Sequence, residues 1–242
     1  QEKSVRAQAY ATMIEGIDRS LGDLMDWLEA RGVAEETVIF FLGDNGADAP
    51  LGGKHDIASS APLRGKKGTH WEGGVRVPFI AAWTMPDAEH PLQRQMPIAT
   101  DAIRSDVAAC FDLLPTILRI EGGSEPEGHP VDGQALQTLL SGETDAGREA
   151  VFLSHFPHPH NSDYYTTYRR GRWKAVYHYF PTQEQYELYD LEADPSESTN
   201  LAAQRPEQLR EMMSAMIADL HAKDACFPVA GDKRVVPTLP PD

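Results

Sequence analysis

TVIFFLGDNG, residues 37–46, decides how the chain is read. Five apolar residues, Val38 to Leu42, run without a polar break into Gly43-Asp44-Asn45-Gly46. A β-branched and aromatic run of this length predicts a buried strand. Upstream, Tyr10, Met13, Ile14, Ile17, Leu21, Leu24, Met25 and Leu28 recur at helical spacing and predict an amphipathic helix over 4–31. Gly32 is placed to stop it. A helix followed by an all-apolar strand suggests an α/β fold with a parallel sheet. In such sheets ligands bind beyond the C-terminal ends of the strands, which is where Asp44 and Asn45 fall. Their carboxylate and amide oxygens are hard donors suited to Ca²⁺ or Mg²⁺. The same four residues also read as an ordinary turn, because Asp-Gly and Asn-Gly pairs are common in turns.

Downstream, residues 46–77 form a Gly-rich polar connection too long for a simple loop, which marks it as functional. VPFIAAW (77–83) predicts a second buried strand. Within PLRGKKGTHWEGGVRVPFI (62–80), Arg64, Lys66, Lys67 and Arg76 face one acid, Glu72, a local charge of +3 in a chain whose net charge is −15. Flanking glycines let an anion approach the backbone closely, and a lysine is a compact charge for a tetrahedral oxyanion. The alternative is a solvated basic loop. With 22 Lys and Arg against 37 Asp and Glu, the chain does not suit broad binding to nucleic acid or to an anionic membrane. No apolar run approaches the roughly 20 residues of a membrane span.

Ser105–Ile120 predicts a helix in which Pro115 introduces a kink. A linker with a short helix at 134–141 follows. After it come short strands in EAVFLSHF, YYTTYRRGRWKAVYHY and QYELYDL, with a hairpin turn at Arg170-Gly171. Pro206 opens a last helix whose apolar face is Leu209, Met212, Met213, Met216, Ile217 and Leu220. The tail from 226 to 242 reads as extended.

Four pieces taken together resemble the sulfatases of the alkaline phosphatase superfamily. They are YATMIEGIDRSLGDLMDWLEARGVAEETVIFFLGDNG, LRGKKGTHWEGGVRVPFI, VDGQAL and ELYDLEADPSESTNLA. The resemblance implies the C-terminal part of a sulfatase-type α/β sandwich (1–125), a linker (126–149), a small α+β subdomain with a short antiparallel sheet (150–225) and a tail (226–242). It implies that Asp44 and Asn45 are metal ligands, usually for Ca²⁺ and less often Mg²⁺. It implies that Lys67, before Gly68-Thr69, contacts the sulfate group, and that Glu72-Gly73-Gly74 shapes the loop. The family's nucleophile is a formylglycine made from Cys or Ser in a C/S-x-P-x-R motif. Cys110 and Cys226 do not fit it, so the resemblance places the nucleophile in an N-terminal half outside these 242 residues. That half is then the partner, and the substrate is a small-molecule or saccharide sulfate ester. A periplasmic or secreted setting is implied in the same way.

The remaining candidates are histidines and one basic segment. His55 lies between the two key stretches and is a candidate substrate contact. His158 and His160, with His155, sit in a Pro-rich stretch that reads as substrate contact, transition-metal site or solvated loop. His70 reads as packing beside Trp71, and RRGRWK (169–174) as an exposed hairpin in preference to a basic substrate lip. Two other functions fit the residues: a phosphodiesterase or phosphonate hydrolase of the same superfamily, and a non-catalytic binding or assembly subunit.

Overall fold

The computed structural model describes residues 5–48, 58, 60–148, 151–160, 163–181 and 183–241. In chain order the helices are α1 (Val5–Ala30), α2 (Glu72–Val75), α3 (Pro91–Gln95), α4 (Leu113–Ile120), α5 (Gln137–Leu140) and α6 (Pro206–Ala222). The strands are β1 (Val38–Leu42), β2 (Phe79–Trp83), β3 (Val151–His160), β4 (Asp163–Arg170), β5 (Trp173–His178), β6 (Tyr186–Asp190), β7 (Val229–Ala230) and β8 (Lys233–Arg234). The chain divides into two compact units.

The first unit holds α1, β1, β2, α3, α4 and α5. α1 ends where Gly32 takes φ +69°, a left-handed conformation that costs a glycine little. β1 and β2 pair antiparallel, Val38 opposite Trp83 and Leu42 opposite Phe79. This corrects the expected parallel arrangement. A parallel pair needs a crossover of a dozen residues or more, usually a helix, and the only described helix between these strands is the four-residue α2. Nor are the strands buried. Phe41, Phe79 and Ile80 are exposed, as are Met13, Ile14, Ile17, Leu24 and Trp27 of α1.

The helix expected over 105–120 is shorter. Residues from Ser105 to Ala109 form no helix, and a 3₁₀ turn at Cys110–Asp112 leads into α4. Buried Asp112 sets this start, accepting the amides of Ala109 at 2.8 Å and Gln134 at 2.7 Å and pairing with Arg148. Pro115 therefore falls in the first turn of α4, where its missing N–H removes no helical bond, and the expected kink has no cause.

The second unit is built on the expected short antiparallel sheet, of order β3-β4-β5-β6, and also takes in the Asp44 turn, the lysine loop and the tail. Gly171, at φ +56°, makes the tight link between β4 and β5, in which Arg170 pairs with Trp173. Strand side chains alternate between faces. Tyr168, Ala175, Tyr177 and Leu188 pack on Leu209, Met212, Met213, Met216 and Leu220 of α6, so the methionine stripe is core. On the other face Tyr165, Val176, Tyr189 and Leu191 pack with Trp71. The tail is not wholly extended: β7 and β8 form a small hairpin with Gly231 at φ +63°. Among the described residues no helix is long and apolar enough to cross a membrane.

Candidate functional site

The stretch after β1 and the basic loop are stitched together by the backbone. The amide of Gly46 donates to the carbonyl of Gly74 at 2.8 Å, and the amide of Lys67 donates to the carbonyl of Ala47 at 3.0 Å. The first contact requires glycine. A Cβ on Gly46 would stand 1.9 Å from the Gly73 carbonyl oxygen, far inside any real contact. The turn holding Asp44 and Asn45 thus lies against the Glu72-Gly73-Gly74 turn. Asp44 is exposed, Asn45 half-buried and Lys67 exposed.

The lysine loop folds on itself through Thr69. Its hydroxyl donates to the Lys66 carbonyl at 2.8 Å, and its amide donates to the same oxygen at 3.0 Å. Gly68 takes φ +80° to close that turn. Glu72 then plugs the loop into the sheet. It is buried, and its carboxylate meets Lys174 Nζ at 3.1 Å and the Arg169 guanidinium at 3.1 Å. Lys174 also lies 2.7 Å from Glu197 Oε1 and donates to the His70 carbonyl at 2.6 Å. Glu197 Oε2 accepts the Glu72 amide at 2.6 Å. Two acids and two bases thus neutralise one another out of water, as buried charges must. Burial pushes the Glu197 carboxyl upward, and Lys174 opposes the shift. Burial also lowers the Arg169 guanidinium, against the pull of Glu72.

RRGRWK is the expected hairpin, exposed at Arg170, Gly171 and Arg172, but this network corrects the reading for Lys174. Lys174 is 2% exposed. Strand parity puts Arg169 and Lys174, which face each other across β4 and β5, on the face that meets the loop. Glu72 shapes the loop by anchoring it there.

The S-x-P-x-R pattern does occur once, as Ser60-Ala61-Pro62-Leu63-Arg64, which the cysteines alone did not reveal. Here the Ser60 hydroxyl donates to the Gly73 carbonyl at 2.9 Å. The Arg64 guanidinium lies 3.5 Å above the Trp71 ring and donates to the Glu197 carbonyl at 2.9 Å. Both ends of the pattern hold the loop in place.

Of the other expected contacts, His55 lies outside the described residues. His158 is exposed on β3, and the backbone of His160 belongs to the same strand. The Pro-rich stretch is thus a strand. His155, earlier on β3, is engaged, with Nδ1 2.7 Å from the Thr166 hydroxyl and Nε2 2.6 Å from the Cys226 carbonyl. Sequence reasoning missed His178 and Glu187. Their one sequence signal is alternation along neighbouring strands, legible only once the register is known.

For a Ca²⁺ ion of the kind the resemblance implies, the Asp44 and Asn45 oxygens are the right chemistry, and the Gly46 contact holds their turn against a rigid loop. They supply two side chains where Ca²⁺ takes six to eight oxygens, so the fit is that of part of a site.

Two family models match the chain: "Sulfatase" over residues 2–123 and "N-sulphoglucosamine sulphohydrolase, C-terminal" over 70–224. A sulfatase of Formosa agariphila is 30% identical over 217 residues, covering 82% of this chain and 36% of its own length. Steryl-sulfatase of Mus musculus is 26% identical over 252 residues, covering 93% of this chain and 38% of its own. The crystal structure of Ps i-CgsB in complex with k-i-k-neocarrahexaose aligns with a TM-score of 0.71 at 24% identity, over 96% of this chain and 46% of that one. The chain therefore spans a little over a third of the length of these curated relatives.

Proposed function

Since the chain belongs to the sulfatase family, we propose that it supplies the metal-binding and sulfate-binding part of a sulfuric ester hydrolase. The observation that carries this is the pair of backbone bonds, Gly46 to Gly74 and Lys67 to Ala47. They hold the Asp-Asn turn and the lysine loop as one structure. Asp44 and Asn45 would hold a divalent cation, Ca²⁺ by donor type, completed by oxygens from outside this chain. Such a cation, when bound, offsets negative charge on the sulfate oxygens. The Lys67 ammonium would meet a sulfate oxygen and stabilise the charge that builds on it, commonly a large catalytic effect.

In this reading the nucleophile, a formylglycine, comes from a further portion of the enzyme. The engagement of Ser60 and Arg64 in holding the loop supports that assignment. The substrate is a sulfate ester; the saccharide in the related Ps i-CgsB structure favours a sulfated sugar. A periplasmic or secreted setting follows from the same family reading.

The test is Asp44→Ala in the enzyme that contains this chain, assayed on an aryl sulfate across a Ca²⁺ titration. Loss of one charged ligand is expected to lower kcat/KM by about 10²-fold or more, the scale of removing one group that stabilises transition-state charge. Asn45→Ala loses a neutral donor and is expected to cost less. Wild-type activity in Asp44→Ala would remove the metal assignment.

A further inference from the structure

A second, chemically different cluster lies at the far end of the lysine loop. Among the described residues, one group of three metal-ligating side chains comes together: His70, His178 and Glu187, with candidate ligand atoms all within 4.8 Å of one another. Strand parity explains the pairing of the last two. His178 ends β5 two residues after Val176, and Val176 pairs with Glu187 on β6. His70 arrives from the loop, three residues after Lys67.

We propose that these three side chains form a site for one divalent transition-metal ion, Zn²⁺ by donor chemistry, that staples the lysine loop to the sheet. His178 Nε2 stands 3.1 Å from Glu187 Oε1, and His70 Nε2 stands 3.7 Å from Glu187 Oε2. Tetrahedral zinc with bonds of roughly 2.0–2.2 Å has ligand-to-ligand edges of about 3.3 Å. The two distances, one to each carboxylate oxygen, are of that order, and all three candidate donor atoms lie within 4.8 Å of one another, so a bound ion would draw them slightly closer. Two imidazole nitrogens and a carboxylate suit zinc and exclude the hard-oxygen preference of Ca²⁺. Three protein donors leave one position for water.

Two features point to a ligand rather than to ordinary packing. First, His70 is 8% exposed, and its Nε2 is buried with no hydrogen-bond partner. At 3.7 Å the Glu187 oxygen is beyond hydrogen-bond reach. A buried polar atom left unpaired is costly, and a metal would pair it. Second, the supporting groups are already placed. His178 Nδ1 lies 3.0 Å from Asp163 Oδ2, the carboxylate–histidine arrangement that orients a metal-bound imidazole and directs the other nitrogen to the ion. The Tyr189 hydroxyl donates to Glu187 Oε2 at 2.9 Å. The Trp71 and Tyr165 rings stand 4.1 and 5.1 Å from the His70 ring and wall the cluster from water.

The site is independent of the sulfatase reading, and its test, made on the enzyme that contains this chain, reads metal content and Tm rather than hydrolysis. The enzyme is stripped with a chelator, reloaded with ZnSO₄ and freed of excess by gel filtration; bound zinc is then measured by plasma mass spectrometry. About one zinc per chain is expected in the wild type and in His158→Ala, and less than about a tenth of that in His70→Gln and Glu187→Gln. With zinc about a hundredfold above its Kd, the wild-type Tm is expected to rise by about 5 °C or more. The wild-type zinc content and Tm shift keep the test decisive if a variant does not fold. A wild type that retains no zinc and shows no shift overturns the proposal. So does a folded His70→Gln that still binds one equivalent.

Discussion

The two units bury their residues differently. In the unit containing β3 to β6, the sheet is covered on both faces: α6 packs on one, and Trp71 with its neighbours on the other. Its charges are paired inside as well, with Lys174 against Glu72 and Glu197. In the unit containing α1, β1 and β2, the apolar stripe of α1 and the outer residues of β2 face solvent. What is buried there includes polar hubs, Asp112 with Arg148, and Gln93, whose amide donates to the Glu35 and Met85 carbonyls at 2.8 Å. The candidate loops for metal and sulfate are grouped with the first of these, the fully packed unit. A binding loop needs rigid support, and the buried ion network provides it. The unpartnered stripe of α1 fits a chain that spans little more than a third of its relatives' length.

The largest difference should appear on breaking the ion network. Lys174→Met leaves two carboxylates sharing the one Arg169 charge in a site where Lys174 and Glu197 are almost wholly out of water. Removing one partner of a buried pair costs about 3–5 kcal/mol, read by urea denaturation of the chain. A loss under about 1 kcal/mol would show that the network is not what holds the loop. The smallest effect should come from Ile14→Ser on α1. Ile14 is 51% exposed, so stability of the chain should change by no more than about 0.5 kcal/mol. A larger loss would mean that the stripe is already buried in solution, for example in a dimer, which sedimentation would reveal.

How much of this was legible in the sequence depended on range. The α1 periodicity, its stop at Gly32, the Pro206 helix start and the methionine stripe are local signals, and they read correctly. The direction of β2 was not legible, because an apolar run encodes a strand and not its pairing sense. Lys174 looked exposed because its partners Glu72 and Glu197 lie 102 and 23 residues away along the chain. Its burial follows from β4–β5–β6 parity, which needs the register. The same holds for His178 and Glu187. Pro115 would kink a helix that began at Ser105 but not one that begins at Leu113, and the helix start is set by Asp112 contacts that lie 22 and 36 residues away along the chain. Asp44, Asn45 and Lys67 were found as loop residues beside glycines. The structure adds that the two loops carrying them are bonded to each other.

The central claim is that the lysine loop presents one particular lysine to the sulfate group. The most direct measurement is kcat/KM on an aryl sulfate for Lys67→Ala and Lys66→Ala in the enzyme containing this chain. Both lysines are exposed and adjacent, so general charge loss affects them alike and the difference isolates the contact. A fall of about 10²-fold or more is expected for Lys67→Ala and a much smaller one for Lys66→Ala. Equal effects, or a larger loss for Lys66→Ala, would contradict that contact.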